Sequence, residues 1–142
     1  MRGRSRGFTL IELMIAVTIL AIVTAIALPL YNRYSMRTYR AEAQADLMGC
    51  AQALERYAAM NFNYTGAVLP AAALCDPLSV KQGRYTLTLV VTDPNTFVLT
   101  ATPRNPGPMA TDGFMNYDSA GQRGWDRNRD GTLAATELTW QD

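Results

Sequence analysis

"RGFTLIELMIAVTILAIVTAIALPLY", Arg6 to Tyr31, decides the fold. From Leu13 to Leu30 run 18 residues without a charge, with Thr18 and Thr24 as the only polar interruptions. At ~1.5 Å rise per residue, and with Phe8 to Ile11 added, that helix can cross a hydrocarbon core ~30 Å thick. One carboxylate, Glu12, stands at its start. Near the apolar core it costs roughly 2.5–3.5 kcal/mol on insertion scales, and less close to the interface. The rest of the 142-residue chain has ordinary globular composition, so it reads as one domain behind an anchoring segment.

The net charge of +1 hides an asymmetry. Arg2, Arg4 and Arg6 precede Phe8, and a basic head before an apolar run stays cytoplasmic, which sends the C-terminal domain outward. Arg33, Arg37 and Arg40 on the far side offset part of that bias. The chain has no histidine, one lysine and four serines (Ser5, Ser35, Ser79, Ser119). No nucleophile–base pairing is visible, and the commonest general base and zinc ligand is absent, so the sequence argues against an enzyme.

Three readings of the N-terminus compete. A secretory signal would use "AIA", Ala25 to Ala27, as its cleavage site, but Glu12 and Pro29 fit that poorly. A plain single-span anchor leaves Glu12 without a role. The third reading rests on resemblance: Gly7, Phe8, Thr9, Leu10, Ile11, Glu12 and Pro29, in register with the apolar run, resemble the class III signal of type IV pilins and type II secretion pseudopilins. The resemblance implies that a prepilin peptidase removes a leader of residues 1–7, cutting between Gly7 and Phe8, and that Phe8 is N-methylated. It also implies that Glu12 guides assembly by pairing with the N-terminus of a neighbouring subunit. Residues 8–31 then form a transmembrane and filament-core helix, and residues 32–142 a periplasmic globular domain.

The helical period continues beyond the membrane. Met36, Tyr39, Ala43, Leu47, Cys50, Leu54 and Tyr57 are spaced 3, 4, 4, 3, 4, 3 and form one apolar stripe. Arg37, Arg40, Glu42, Gln44, Asp46, Gln52, Glu55 and Arg56 read as its solvated face. Phe8 to Met60 is thus expected to be one helix of 53 residues, bent at Pro29 and stopped by "NFNYTG". "RYTLTLVVT" (Arg84 to Thr92) and "TFVLTATP" (Thr96 to Pro103) alternate around the turn "DPN", and "GFMNYD" with "QRGW" suggests a shorter hairpin. A small antiparallel sheet on the C-terminal half of a long helix is an α+β arrangement, which matches the pilin fold.

Cys50 and Cys75 would oxidise to one bridge in an exported domain; two unpaired buried thiols are the alternative. Many pilins instead pin their C-terminal region with a disulfide, and here "ATDGF" and "RGW" carry no cysteine. "DRNRDGTLAATE" offers a substitute, placing Asp126, Asn128, Asp130, Gly131, Thr132 and Glu137 at positions 1, 3, 5, 6, 7 and 12 of an EF-hand-like loop, 126–137. The expectation is one calcium ion held by Asp126, Asn128, Asp130 and Glu137 side chains and the Thr132 carbonyl. A solvated acidic tail is the alternative. A C-terminal calcium site in place of a disulfide is known among major pseudopilins.

The function expected is a structural subunit, a minor pilin of a type IV pilus. It would sit in the inner membrane of a Gram-negative bacterium and then in the cell-surface pilus. Its partners would be other pilin subunits, the prepilin peptidase and the pilus assembly machinery. The alternatives are a type II secretion pseudopilin and a competence pilin that binds DNA. For the last, Lys81, Arg84, Arg104, Arg123, Arg127 and Arg129 could form a basic patch, although such a scatter usually marks a solvated surface.

Overall fold

The computed structural model of the chain describes residues 7–69 and 74–141. The expected leader therefore lies, but for Gly7, outside the described residues. Helix α1 spans Leu10–Asn61, with Pro29 inside it. It starts two residues later than its periodicity suggests, for a reason that lies in Thr9 and Glu12. The chain forms two compact units, Met1–Ser35 and Met36–Asp142.

In the second unit, helix α2 (Leu78–Lys81) precedes strands β1 (Tyr85–Asp93), β2 (Thr96–Pro103), β3 (Met115–Asp118) and β4 (Arg123–Trp125). The strands form one antiparallel sheet in the order β1-β2-β3-β4, as the two hairpins predict. Alternation sets the faces: Tyr85, Leu87, Phe97, Leu99, Ala101, Met115 and Trp125 are buried, while Thr86, Thr88 and Thr102 are exposed. The buried set packs on Ala43, Leu47, Cys50 and Leu54 of α1, and Tyr64 meets Phe97 edge-to-face with centroids 4.9 Å apart.

Helix α2 was not legible as an element. It is four residues long, and its first N–H groups find their acceptor far away in the sequence. The Asp46 carboxylate on α1 accepts from Leu78 N (3.1 Å) and Ser79 N (2.7 Å). Cys50 and Cys75 are joined, which ties the approach to α2 back onto α1. The Arg84 N–H then bonds to the Ser79 carbonyl, so α2 lies against the start of β1.

Arg40 overturns one expectation. It is not on the solvated face but buried, 9% exposed. Its Nε and Nη2 donate to both oxygens of Asp112 at 3.1 and 3.0 Å, its guanidinium lies 3.8 Å from the Trp125 ring centroid, and Tyr85 Oη donates to Asp112 at 3.1 Å. Helix, both hairpins and the 104–113 connection thus meet at one ion pair. Burial first, and then the Asp112 charge, raise the Tyr85 hydroxyl well above its usual pKa, so it stays a donor.

Candidate functional site

Two places carry the chemistry that the sequence suggests, one in each unit. At the first, Gly7, Phe8 and Thr9 precede the helix in non-helical backbone, and Phe8 is 88% exposed. The Leu13 N–H bonds to the Thr9 carbonyl (3.2 Å), which makes Thr9 the N-cap. The Glu12 N–H donates to Thr9 Oγ1 (3.3 Å), while Thr9 N and Oγ1 donate to Glu12 Oε2 at 3.2 and 3.1 Å. This is a capping box, T-x-x-E, present in the sequence as "TLIE".

Beyond it the apolar run exposes large side chains on every side, from Leu10 to Leu30. The helix is long and apolar enough to cross a membrane. The two polar interruptions are internally satisfied: Thr18 Oγ1 donates to the Met14 carbonyl and Thr24 Oγ1 to that of Leu20, at 2.8 and 2.7 Å. Neither hydroxyl donor in this stretch therefore demands water.

The second place is the C-terminal loop. Asp126 (3% exposed) accepts N–H bonds from Asp130 and Gly131, and Asp130 N also reaches Asn128 Oδ1. Asp130 accepts from Thr132 N, Thr132 Oγ1 and Asn128 Nδ2. Arg129 and Gly131 turn the chain at φ 61° and 83°; the second is the turn for which the expected loop requires glycine. Glu137 (5% exposed) reaches back across the loop, accepting from Arg127 N and Asn128 N on one oxygen and Ala134 N on the other. Thr132 lies on the rim. Among the described residues, no three His, Cys, Asp or Glu side chains converge as a preformed metal cage.

These bonds stabilise the ionised carboxylates. The Thr132 hydroxyl and N–H, and then the Asn128 amide, lower the Asp130 pKa; the N–H groups of Asn128 and Ala134 lower that of Glu137. A depressed folded-state pKa contributes stability that is present above the unfolded value, ~4 for these groups, and lost as pH falls through the folded one.

The tail has further anchors that sequence reasoning missed. Trp140 Nε1 donates to the Asn116 and Gly124 carbonyls at 3.2 and 3.0 Å, the Tyr117 ring lies 5.8 Å from that of Trp140, and Arg123 stacks over it. Close packing enforces the path: a Cβ on Gly113 would lie 1.5 Å from the Asp126 carbonyl oxygen. The candidate basic patch is largely engaged within the chain. Lys81 pairs with Asp76, Arg84 with Glu42, Arg127 donates to the Gln141 carbonyl and Arg129 to that of Thr111. Arg104 is exposed.

A capped apolar helix continuing into the packed helix of a four-stranded domain narrows the comparison. The prokaryotic N-terminal methylation motif matches residues 2–28, and the family described as type IV minor pilin ComP, DNA uptake sequence receptor, matches residues 29–113. The chain belongs to the type IV minor pilins. This pilin is 31% identical to the type IV major pilin protein PilE1 of Neisseria gonorrhoeae over 135 residues, 94% of this chain and 69% of that one. It is 35% identical to the fimbrial protein EcpC of Eikenella corrodens over 103 residues, 72% and 65% of the two chains. To the type IV major pilin protein PilA of Myxococcus xanthus it is 50% identical over 44 residues, 31% of this chain and 20% of that one. It therefore spans between a fifth and about two thirds of the length of these relatives.

Proposed function

We propose that this pilin is a non-enzymatic minor subunit of a type IV pilus. It is made as an inner-membrane precursor, cut between Gly7 and Phe8 by a prepilin peptidase and methylated on Phe8. Its C-terminal domain faces the periplasm of a Gram-negative cell before the assembly machinery packs it with other pilin subunits. The observation that carries this reading is the apolar half of α1: exposed on all sides among the described residues, it suits lipid first and other helices afterwards. Intact mass and N-terminal sequencing of the membrane-extracted protein test it. The expected mature chain begins at a modified Phe8; one beginning at Met1 or Leu28 sinks the reading. Deletion that stops protein secretion but leaves piliation intact would instead favour a pseudopilin. The family's description as a DNA uptake sequence receptor supports a second reading, contact with DNA, for which the exposed Arg104 is a candidate.

The same proposal includes one calcium ion in loop 126–137. Asp126, Asn128, Asp130 and Glu137 would hold it through side-chain oxygens and Thr132 through its carbonyl, and the ion would neutralise three carboxylates on one short loop. Spacing, donor chemistry and the turn at Gly131 support it. The three N–H groups on Glu137 oppose it, because a bidentate carboxylate must loosen them. Millimolar calcium is expected to raise the melting temperature and to protect residues 126–142 from protease relative to chelator, with magnesium doing much less. Curves that coincide with and without metal overturn the metal reading. In chelator, acidification from about pH 4 downward should progressively expose the same segment, the loss being complete only below the lowered folded-state values of Asp130 and Glu137.

A further inference from the structure

The Cys50–Cys75 bridge can be reached from solvent. Cys50 on α1 is 1% exposed, but Cys75 is only half-buried, and both line an open cleft of about 210 Å³. Asp46 and Asp76 stand on its walls and are already engaged, Asp46 by the Leu78 and Ser79 N–H groups and Asp76 by Lys81. Arg56 supplies a cation to the same cleft. Beside Cys50 lies Gly49, a glycine in the interior of α1, where that residue is costly. Packing does not require it. A Cβ at Gly49 would meet nothing within 4 Å beyond its immediate neighbours and its own stretch of helix. What the missing side chain leaves open is the cleft.

We propose that Cys50–Cys75 is a thiol–disulfide exchange site, entered through this cleft by a dithiol and attacked at Cys75 Sγ. An incoming thiolate bonds to Cys75 Sγ, the S–S bond breaks, and its electron pair leaves on Cys50 Sγ, which takes a proton from water. The second thiol of the dithiol then attacks the first in the mixed disulfide and releases Cys75 as a thiolate, protonated in its turn. The dithiol is thereby oxidised to its disulfide, and the bridge is reduced to two thiols by two electrons and two protons. Burial sets the direction, because exchange depends on which sulfur the nucleophile can reach. Arg56 favours the thiolate forms of the attacking and leaving sulfurs. The opening is local. The sheet stays packed on Ala43, Leu47 and Leu54, while the approach to α2 loses its covalent tie to α1. The hydrogen bonds to Asp46 keep α2 in place for reclosure.

The test uses the full chain in detergent, without denaturant, and dithiothreitol as the probe, following the appearance of alkylatable thiols. Gly49→Ala improves the helix and leaves the cleft open, so it should match the unaltered rate within about twofold. Gly49→Leu fills the entrance and should slow reduction about tenfold or more. Ala45→Leu, one turn earlier on the same wall, is the second blocking variant and should also slow it. Arg56→Gln should slow it about threefold, through the lost cation. Brief treatment with glutathione, quenched in acid, should leave the adduct on Cys75. In the reduced chain, protease cuts within residues 74–84 should rise while circular dichroism keeps the helix and sheet signal. If the bridge opens only in denaturant, or Gly49→Ala slows it as much as the two leucine variants, unfolding governs access and the proposal is overturned. A glutathione adduct on Cys50 overturns the direction of attack, and an unchanged rate in Arg56→Gln removes Arg56 from the site.

Discussion

Replacing Arg40 or Asp112 with alanine is expected to destabilise the folded domain by about 3–5 kcal/mol, because either change takes from a buried charge its bidentate ion-pair partner. The side chains are 11% and 4% exposed, so water cannot replace the lost partner. Without Arg40, Asp112 keeps only the Tyr85 hydroxyl among the partners described above, and Trp125 loses the guanidinium stacked on its ring. Loss of Asp112 deprives the buried Arg40 guanidinium of its bidentate carboxylate. For a domain of this size the melting temperature should fall on the order of 15 °C. A double change to apolar residues of similar volume, Arg40→Met with Asp112→Leu, should cost less than either alanine alone, since both members of the pair are removed together. Thermal melts of the detergent-solubilised chain decide the matter. Single variants within about 1 kcal/mol of the parent would show the pair to be a solvated contact rather than the joint of the fold.

Glu12→Ala is expected to abolish incorporation into filaments while sparing membrane insertion and leader removal. The substitution makes the anchor more apolar, so insertion cannot suffer. Under the processing proposed above, what disappears is the carboxylate that would offset the new ammonium when helices pack away from water. An uncompensated charge there costs several kcal/mol, equivalent to a drop in assembled subunit of two orders of magnitude or more. The fraction of subunit in sheared filaments against that in the membrane measures it, with Glu12→Gln as the variant that keeps the shape and removes the charge. Filaments carrying normal amounts of Glu12→Gln would show that the charge is dispensable and that hydrogen bonding alone supports assembly.

Much of this architecture was legible because it rests on period. The stripe from Met36 to Leu54 lies on the core side of α1, and two alternating runs around "DPN" form the first hairpin, because side-chain direction follows from spacing alone. The turn residues of loop 126–137 were legible for a similar reason, since Gly131 sits where only a positive φ closes the loop. At Arg40, position in the stripe outweighs charge type. Met36, Arg40, Ala43, Leu47, Cys50 and Leu54 are spaced 4, 3, 4, 3, 4, and an arginine in that series belongs inside. Its partner could not be read, because Asp112 lies 72 residues away in a connection without pattern. Helix α2 and Trp140 were missed on the same ground: Asp46 and the Asn116 and Gly124 carbonyls complete them from distant parts of the chain. The late start of α1, by contrast, was written in "TLIE" and needed only the cap to be weighed against the hydrophobic run.

The position of α2 has a consequence for crowding. Strand β1 is the outer strand of its sheet, nine residues long, and Asp93 is its only charged residue. Such a strand is a template on which another chain can add by main-chain hydrogen bonds, a hazard that rises steeply where copies stand side by side. The disulfide and Asp46 hold α2 against the start of that strand, and Arg84 spends its N–H on Ser79 rather than on a stranger. At the opposite margin β4 is only three residues long, and the tail returns to it through Trp140. With the start of one margin covered and the other margin short and tied to the tail, the chain offers a neighbouring copy less open strand edge on which to add.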